Sequence, residues 1–181
     1  KLFCSQVYVI PPRDLIFFSA DLQGNAIIAE RMKAFAALYQ NEAKVIITTM
    51  DALMSAAVPF EQLMSHVIKL KEGDELDLEK LKHDLTVMGY ERVGRVEEPG
   101  QFTVHGGIAD VYPLTMEVPV RIELWGDEID TIRCFEPQSQ RSMDQIECVS
   151  VFPAAEVIAD DTARRRAAGM IQNELESQLA V

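Results

Sequence analysis

The run Val120-Arg121-Ile122-Glu123-Leu124-Trp125 places an aliphatic side chain at every second position. That period of two is the geometry of a β-strand, whose successive side chains point to opposite faces. Val120, Ile122 and Leu124 are therefore expected to face a core, with Arg121, Glu123 and Trp125 on the other side. Gly126-Asp127 then reads as a two-residue turn, because glycine at the first turn position supplies the positive φ of a type II′ hairpin. Glu128 to Phe135 returns as the partner strand. Upstream, Gln101-Phe102-Thr103-Val104-His105 alternates in the same way and sets Thr103 and His105 on the polar face. A half-buried sheet ordinarily shows polar side chains to water. An indole there beside a guanidinium has the composition of a protein-docking hot spot. If the strands are neighbours, His105, Arg121 and Trp125 share one patch; the alternative is that a helix or loop of the same chain covers Trp125.

Around this hairpin the chain divides by style. Val7 to Ile10 is a short apolar run closed by Pro11-Pro12, which suits a buried strand. From Ala26 to Tyr39 the apolar positions Ile27, Ile28, Met32, Phe35, Ala36 and Leu38 recur at helical spacing. Val45-Ile46-Ile47 is strand-like, and Thr49 is placed to cap a helix starting near Met50. Strands alternating with helices predict parallel α/β packing. After Pro59 the pattern becomes that of an α+β domain rich in antiparallel hairpins: a strand from His66 to Leu70, a helix from an Asp77 cap to a stop at Gly89, then short strands punctuated by Pro and Gly. Beyond Pro153 a helix is expected from Thr162 to Leu179, with Ile171, Leu175 and Leu179 forming a stripe that needs a partner.

Composition narrows the function. Hydrophobic residues make up 48% of the 181, and no apolar run approaches a membrane span. The start does not resemble a signal peptide, so a cytoplasmic location is expected. Cys4, Cys134 and Cys148 lack metal or redox spacing and are expected to be reduced thiols. Residues 66–152 carry 18 acidic against 9 basic side chains, a balance of −9. That field repels phosphate backbones and favours a protein partner over DNA, unless it serves solubility alone. No phosphate loop, nucleophile elbow or zinc-ligand spacing is present, so neither a cofactor nor a metal is expected. Asp110, in a strand between Ala109 and Val111, is a candidate base, although pairing with an arginine or a backbone N–H is the commoner fate of such a carboxylate. The run Arg164-Arg165-Arg166 reads as a solvated helix face.

The stretch from Pro99 through Gln101-Phe102-Thr103-Val104-His105-Gly106-Gly107-Ile108-Ala109-Asp110-Val111-Tyr112-Pro113, continued by Pro119 to Trp125, Gly126 to Arg133 and Gln140-Arg141-Ser142, resembles the UvrB homology module of the transcription-repair coupling factors (Mfd). UvrB shares the module, but the region before Ala26 lacks the tyrosine-rich hairpin with which UvrB grips DNA, which favours the coupling factors. The resemblance implies a UvrB domain 2-like α+β domain at residues 66–152 that binds UvrA. It implies that residues 1–65 and 153–181 flank that domain as parts of a degenerate RecA-like α/β layer, the latter as a returning helix. It places the UvrA-contacting strand arginine on Arg121 and its aromatic companion on Trp125. The family's other motif arginine falls on His105, a departure, because a neutral imidazole has no bidentate fork. UvrA and the rest of a parent coupling factor are the implied partners; RNA polymerase, DNA and ATP would be engaged only through motor domains outside this sequence. The other readings are a fragment of UvrB itself, which requires a phosphate loop before Lys1, and an unrelated small enzyme using Asp110 and His105.

Overall fold

The computed structural model describes residues 6–12, 22–55, 58–158 and 161–179. Its elements run β1 (Val7–Ile10), α1 (Leu22–Tyr39), β2 (Val45–Thr48), α2 (Met50–Met54), α3 (Phe60–Met64), β3 (Ile68–Lys71), α4 (Leu78–Val87), β4 (Glu91–Arg92), β5 (Gln101–His105), β6 (Ile108–Val111), β7 (Val120–Trp125), β8 (Glu128–Phe135), β9 (Ser142–Gln145), β10 (Cys148–Val151) and α5 (Asp161–Leu179). It is a mixed fold in which, among the described residues, the strands form three sheets.

The first sheet is the expected parallel pair, β1 beside β2. The Thr49 hydroxyl accepts from the Ala52 N–H and caps α2 as its position suggested. Helix α1 begins at Leu22 rather than Ala26, with the weak helix formers Gly24 and Asn25 confined to its first turn. Helix α3 was not anticipated, and it moves the next strand. The His66 and Val67 N–H groups bond to the Leu63 and Met64 carbonyls at the end of α3, so β3 starts at Ile68 instead of His66.

Antiparallel β3 and β10 bring Ile68–Lys71 against Cys148–Val151. The third sheet has the order β4-β5-β6-β7-β8-β9, antiparallel throughout except at β4–β5. Its inner face carries Phe102, Val104, Ala109, Val111, Val120, Ile122, Ile129 and Ile132, and Leu81 and Leu85 of α4 with Met88 at its C-terminal end complete this core. Each of the larger side chains among them contributes roughly 1.5–3 kcal/mol by leaving water, which is why strict alternation specified the strand so firmly. Asp77 caps α4 by accepting from the Glu79 and Lys80 N–H groups, and Gly89 ends it with φ +91°.

A second apolar cluster joins the two styles of chain: Met32 and Ala36 of α1 and Leu63 and Met64 of α3 pack with Leu114 and Phe152 from the hairpin-rich part. The Tyr39 and Phe152 rings meet edge to face at 5.9 Å, and the Tyr90 hydroxyl donates to the Phe152 carbonyl at 2.7 Å. Beside them Arg31 of α1 is buried against Glu156 and also donates to the Pro11 carbonyl. Helix α5 carries exposed Met170, Ile171 and Leu175; the Leu179 and Arg164 side chains lie outside the described residues. Cys4 lies outside them too, while Cys134 and Cys148 are free thiols. Among the described residues no helix is long and apolar enough to cross a membrane.

Candidate protein-docking face

Strand β7 presents the two faces that its period implied. Val120 and Ile122 are fully buried, and Trp125 stands on the outer side with 85% of its surface exposed, so no helix or loop among the described residues covers it. A bulge sharpens this arrangement. Glu123 pairs with Thr131 but Leu124 pairs with Ile129, which leaves Asp130 as an extra residue in β8. The re-phasing turns both Ile129 and Ile132 into the core, although their spacing of three violates simple alternation, and leaves Trp125 outward beside the turn. Gly126 holds φ +67° in that turn, as a type II′ geometry requires at its first position.

The β5–β6 turn lies alongside. The Leu124 N–H donates to the Gly107 carbonyl at 2.8 Å, and a Cβ on Gly107 would come within 3.3 Å of the Leu124 carbonyl. Ile108, which is exposed, pairs with both His105 and Glu123. Exposed Ile108 and Trp125, rimmed by His105 and Glu123, thus form the open end of the outer face. Glu123 is itself held by a hydrogen bond from the Thr131 hydroxyl at 3.0 Å.

The other end of the same face is closed. Val96, Tyr112 and Phe135 form a small buried cluster with Val93 against it. Arg121 sits at its edge, its guanidinium carbon 4.8 Å from the centre of the Phe135 ring. Contrary to the expectation of an outward guanidinium, Arg121 is committed within its own chain: Nε and Nη2 each donate to one oxygen of Asp110 at 2.8 Å. The cause is register. Asp110 and Arg121 are cross-strand partners on one face, and a buried carboxylate requires a counter-charge. The hydrogen bonds to Asp110 push the Arg121 pKa up, opposed by burial. Asp110 therefore meets the fate of a paired carboxylate, each of its oxygens accepting from Arg121. Gln140 adds a further support. It adopts φ +60°, donates from Nε2 to the Val96 and Pro137 carbonyls, and places its side-chain oxygen 3.5 Å from Arg121 Nη2.

The patch also needs correction. Strand β6 lies between β5 and β7, so His105 and Arg121 are not on neighbouring strands; two strand spacings set them about 10 Å apart across the sheet. They do share a face, with His105 in the row of Ile108 and Glu123. Thr103, expected on an open polar face, is buried, and its hydroxyl is 2.8 Å from His105 Nε2. Sequence reasoning passed over Arg133 and Gln140. The signal for Arg133 lay in the alternation of β8, but only the pairing with β7 sets it opposite Arg121.

The hairpin-rich part is acidic and carries an exposed indole at one end of its outer sheet face. Residues 68–156 match the model of the UvrB interaction domain. Over 174 residues, 96% of this chain, it is 36% identical to the transcription-repair-coupling factor of Staphylococcus haemolyticus, and over 173 residues 32% identical to that of Bacillus subtilis. Those of Staphylococcus epidermidis are 34% identical over 94% of the chain. The chain belongs to the family of transcription-repair coupling factors and carries their UvrB interaction domain. It spans 14–15% of the length of these relatives.

Proposed function

We propose that this chain is an interaction module, not an enzyme, and that it recruits UvrA through the open end of the outer sheet face, with Trp125 as anchor. The carrying observation is the exposure of that indole in a UvrB interaction domain. Trp at the centre of a patch supplies large apolar area at little entropic cost, and the polar rim of His105 and Glu123 fits a docking surface. Arg121 takes part mainly by holding the face in shape with Asp110. Its Nη1 has no hydrogen-bond partner among the described residues. His105 offers a single ring nitrogen where the family has an arginine, and contributes less.

The reading includes the division of the chain into a UvrB domain 2-like part at 66–152 and a RecA-like layer at 1–65 and 153–181. The parallel β1–β2 pair with α1 supports the latter. The whole protein would be an ATP-dependent translocase acting on stalled RNA polymerase in the cytoplasm, reaching polymerase and DNA through regions beyond the matched span.

The experiment is titration of purified UvrA with the chain and with Trp125→Ala. Truncating an anchor of this kind costs about 2 kcal/mol or more, so a loss of at least ~30-fold in affinity is expected. The variant should keep its melting temperature, because an exposed side chain contributes little to folding. Unchanged affinity would remove Trp125 from the interface and this reading with it.

A further inference from the structure

Cross-strand pairing fixes one row of side chains across the outer face: Thr103, Asp110, Arg121, Arg133 and Gln145. Two guanidiniums stand directly opposite each other in this row, an arrangement that ordinarily destabilises a sheet. The row holds a single carboxylate, and both oxygens of Asp110 are taken by Arg121. Arg133 makes no ion pair and no side-chain hydrogen bond among the described residues, and its Nε is buried without an acceptor. An arginine cannot shed its charge to escape such a position. The row by itself therefore carries one positive charge in excess, with Glu123 acting on Arg121 from the next row and Glu72 accepting from Gln145 at the β9 end, within a segment whose overall balance, 18 acidic against 9 basic side chains, is −9.

We propose that Arg133 receives a carboxylate from the docking partner, which would then be recognised by an acidic side chain at Arg133 as well as by the pocket it offers Trp125. The inference rests on the docking reading above and adds the partner's chemistry to it. Nε itself is buried, but the two Nη atoms of Arg133 are neither buried nor hydrogen-bonded among the described residues, and this pair of donors suits a planar bidentate acceptor approaching end-on. A carboxylate on a protein fits better than a phosphate on a nucleic acid: one carboxylate samples the local positive row, whereas a phosphate backbone meets the acidic surroundings along its length. A merely structural arginine would have found its acceptor within the chain, as Arg121 and Arg31 have done.

The test uses the whole chain with Arg133→Gln, Arg133→Lys and Trp125→Ala, titrated with UvrA at two salt concentrations. Arg133→Gln is expected to lose roughly tenfold to a hundredfold in affinity and to flatten the salt dependence. Arg133→Lys should recover part of the loss, since it keeps the charge without the fork. The melting temperature of Arg133→Gln should hold or rise, because the like-charge pair and the unanswered donor are both removed. Full affinity in Arg133→Gln while Trp125→Ala still weakens binding would overturn this inference and leave the docking face standing. A lowered melting temperature with intact binding would mark Arg133 as structural. Binding of a labelled DNA duplex by the chain, lost in Arg133→Gln, would replace the carboxylate by phosphate and equally overturn it.

Discussion

Arg121→Ala separates holding the sheet from touching a partner. The substitution leaves the Asp110 carboxylate, whose side chain is only 9% exposed, without its bidentate counter-charge. Breaking a fully buried pair costs about 3–5 kcal/mol. The Arg121 side chain keeps 21% of its exposure, so water reaches the pair and the lower end applies. Loss of the guanidinium from the Phe135 ring adds roughly 0.5–1 kcal/mol. The sum, about 3–4 kcal/mol, corresponds to a drop of roughly 10 °C in melting temperature for a chain of this size. The assay is urea denaturation followed by circular dichroism, comparing midpoints at constant slope. Asp110→Ala and the double variant complete a cycle, and removing both charges should cost less than the two losses added, by about 1–3 kcal/mol. A loss below about 1 kcal/mol in Arg121→Ala, or strict additivity, would refute the claim that Arg121 serves Asp110. If the claim holds, a binding defect in Arg121→Ala alone says little about the interface.

Two further outcomes are expected. Gly89→Ala should destabilise by more than about 1 kcal/mol in the same assay, since Gly89 holds φ +91° and a Cβ there would lie 2.6 Å from the Ala155 Cβ. Burial pushes the Tyr90 pKa well above the ordinary phenol value, so the folded chain binds that proton more tightly than the unfolded chain does. Its contribution is complete below about pH 10 and is lost as pH rises through the folded value. Tyr90→Phe should therefore lower stability by about 1–3 kcal/mol at neutral pH, by orphaning the Phe152 carbonyl, and narrow its gap to the parent chain in alkaline melts.

Much of this was legible in the residues because local rules and tertiary packing agreed there. The alternation in β5 and β7, the Asp77 and Thr49 caps and the Gly126 turn each had a physical cause confined to a few positions. Where the cause lay at longer range, the chain was silent. Nothing local announces that Asp130 is an extra residue, that Gln140 turns left-handed to hold Val96, or that β6 separates His105 from Arg121. The outward side of Trp125 followed from period, but its exposure required the packing around it; the commitment of Arg121 required knowing which residue faces it across the sheet. A guanidinium on an outer face is read as available only when the register of its neighbours is known.

The apolar seam around Phe152 bears on how force would pass through the molecule. Phe152 touches Tyr39 of α1, accepts from Tyr90 after α4, and follows directly on β10, with the Arg31–Glu156 pair a few residues further on. A pull exerted on the sheet by a bound protein would be delivered to α1 through packed rings and a buried ion pair, without a flexible tether to absorb it. A shortened chain of residues 68–156 would lose that coupling and lay Leu114 and Phe152 bare to solvent, trading a transmitter for a sticky surface.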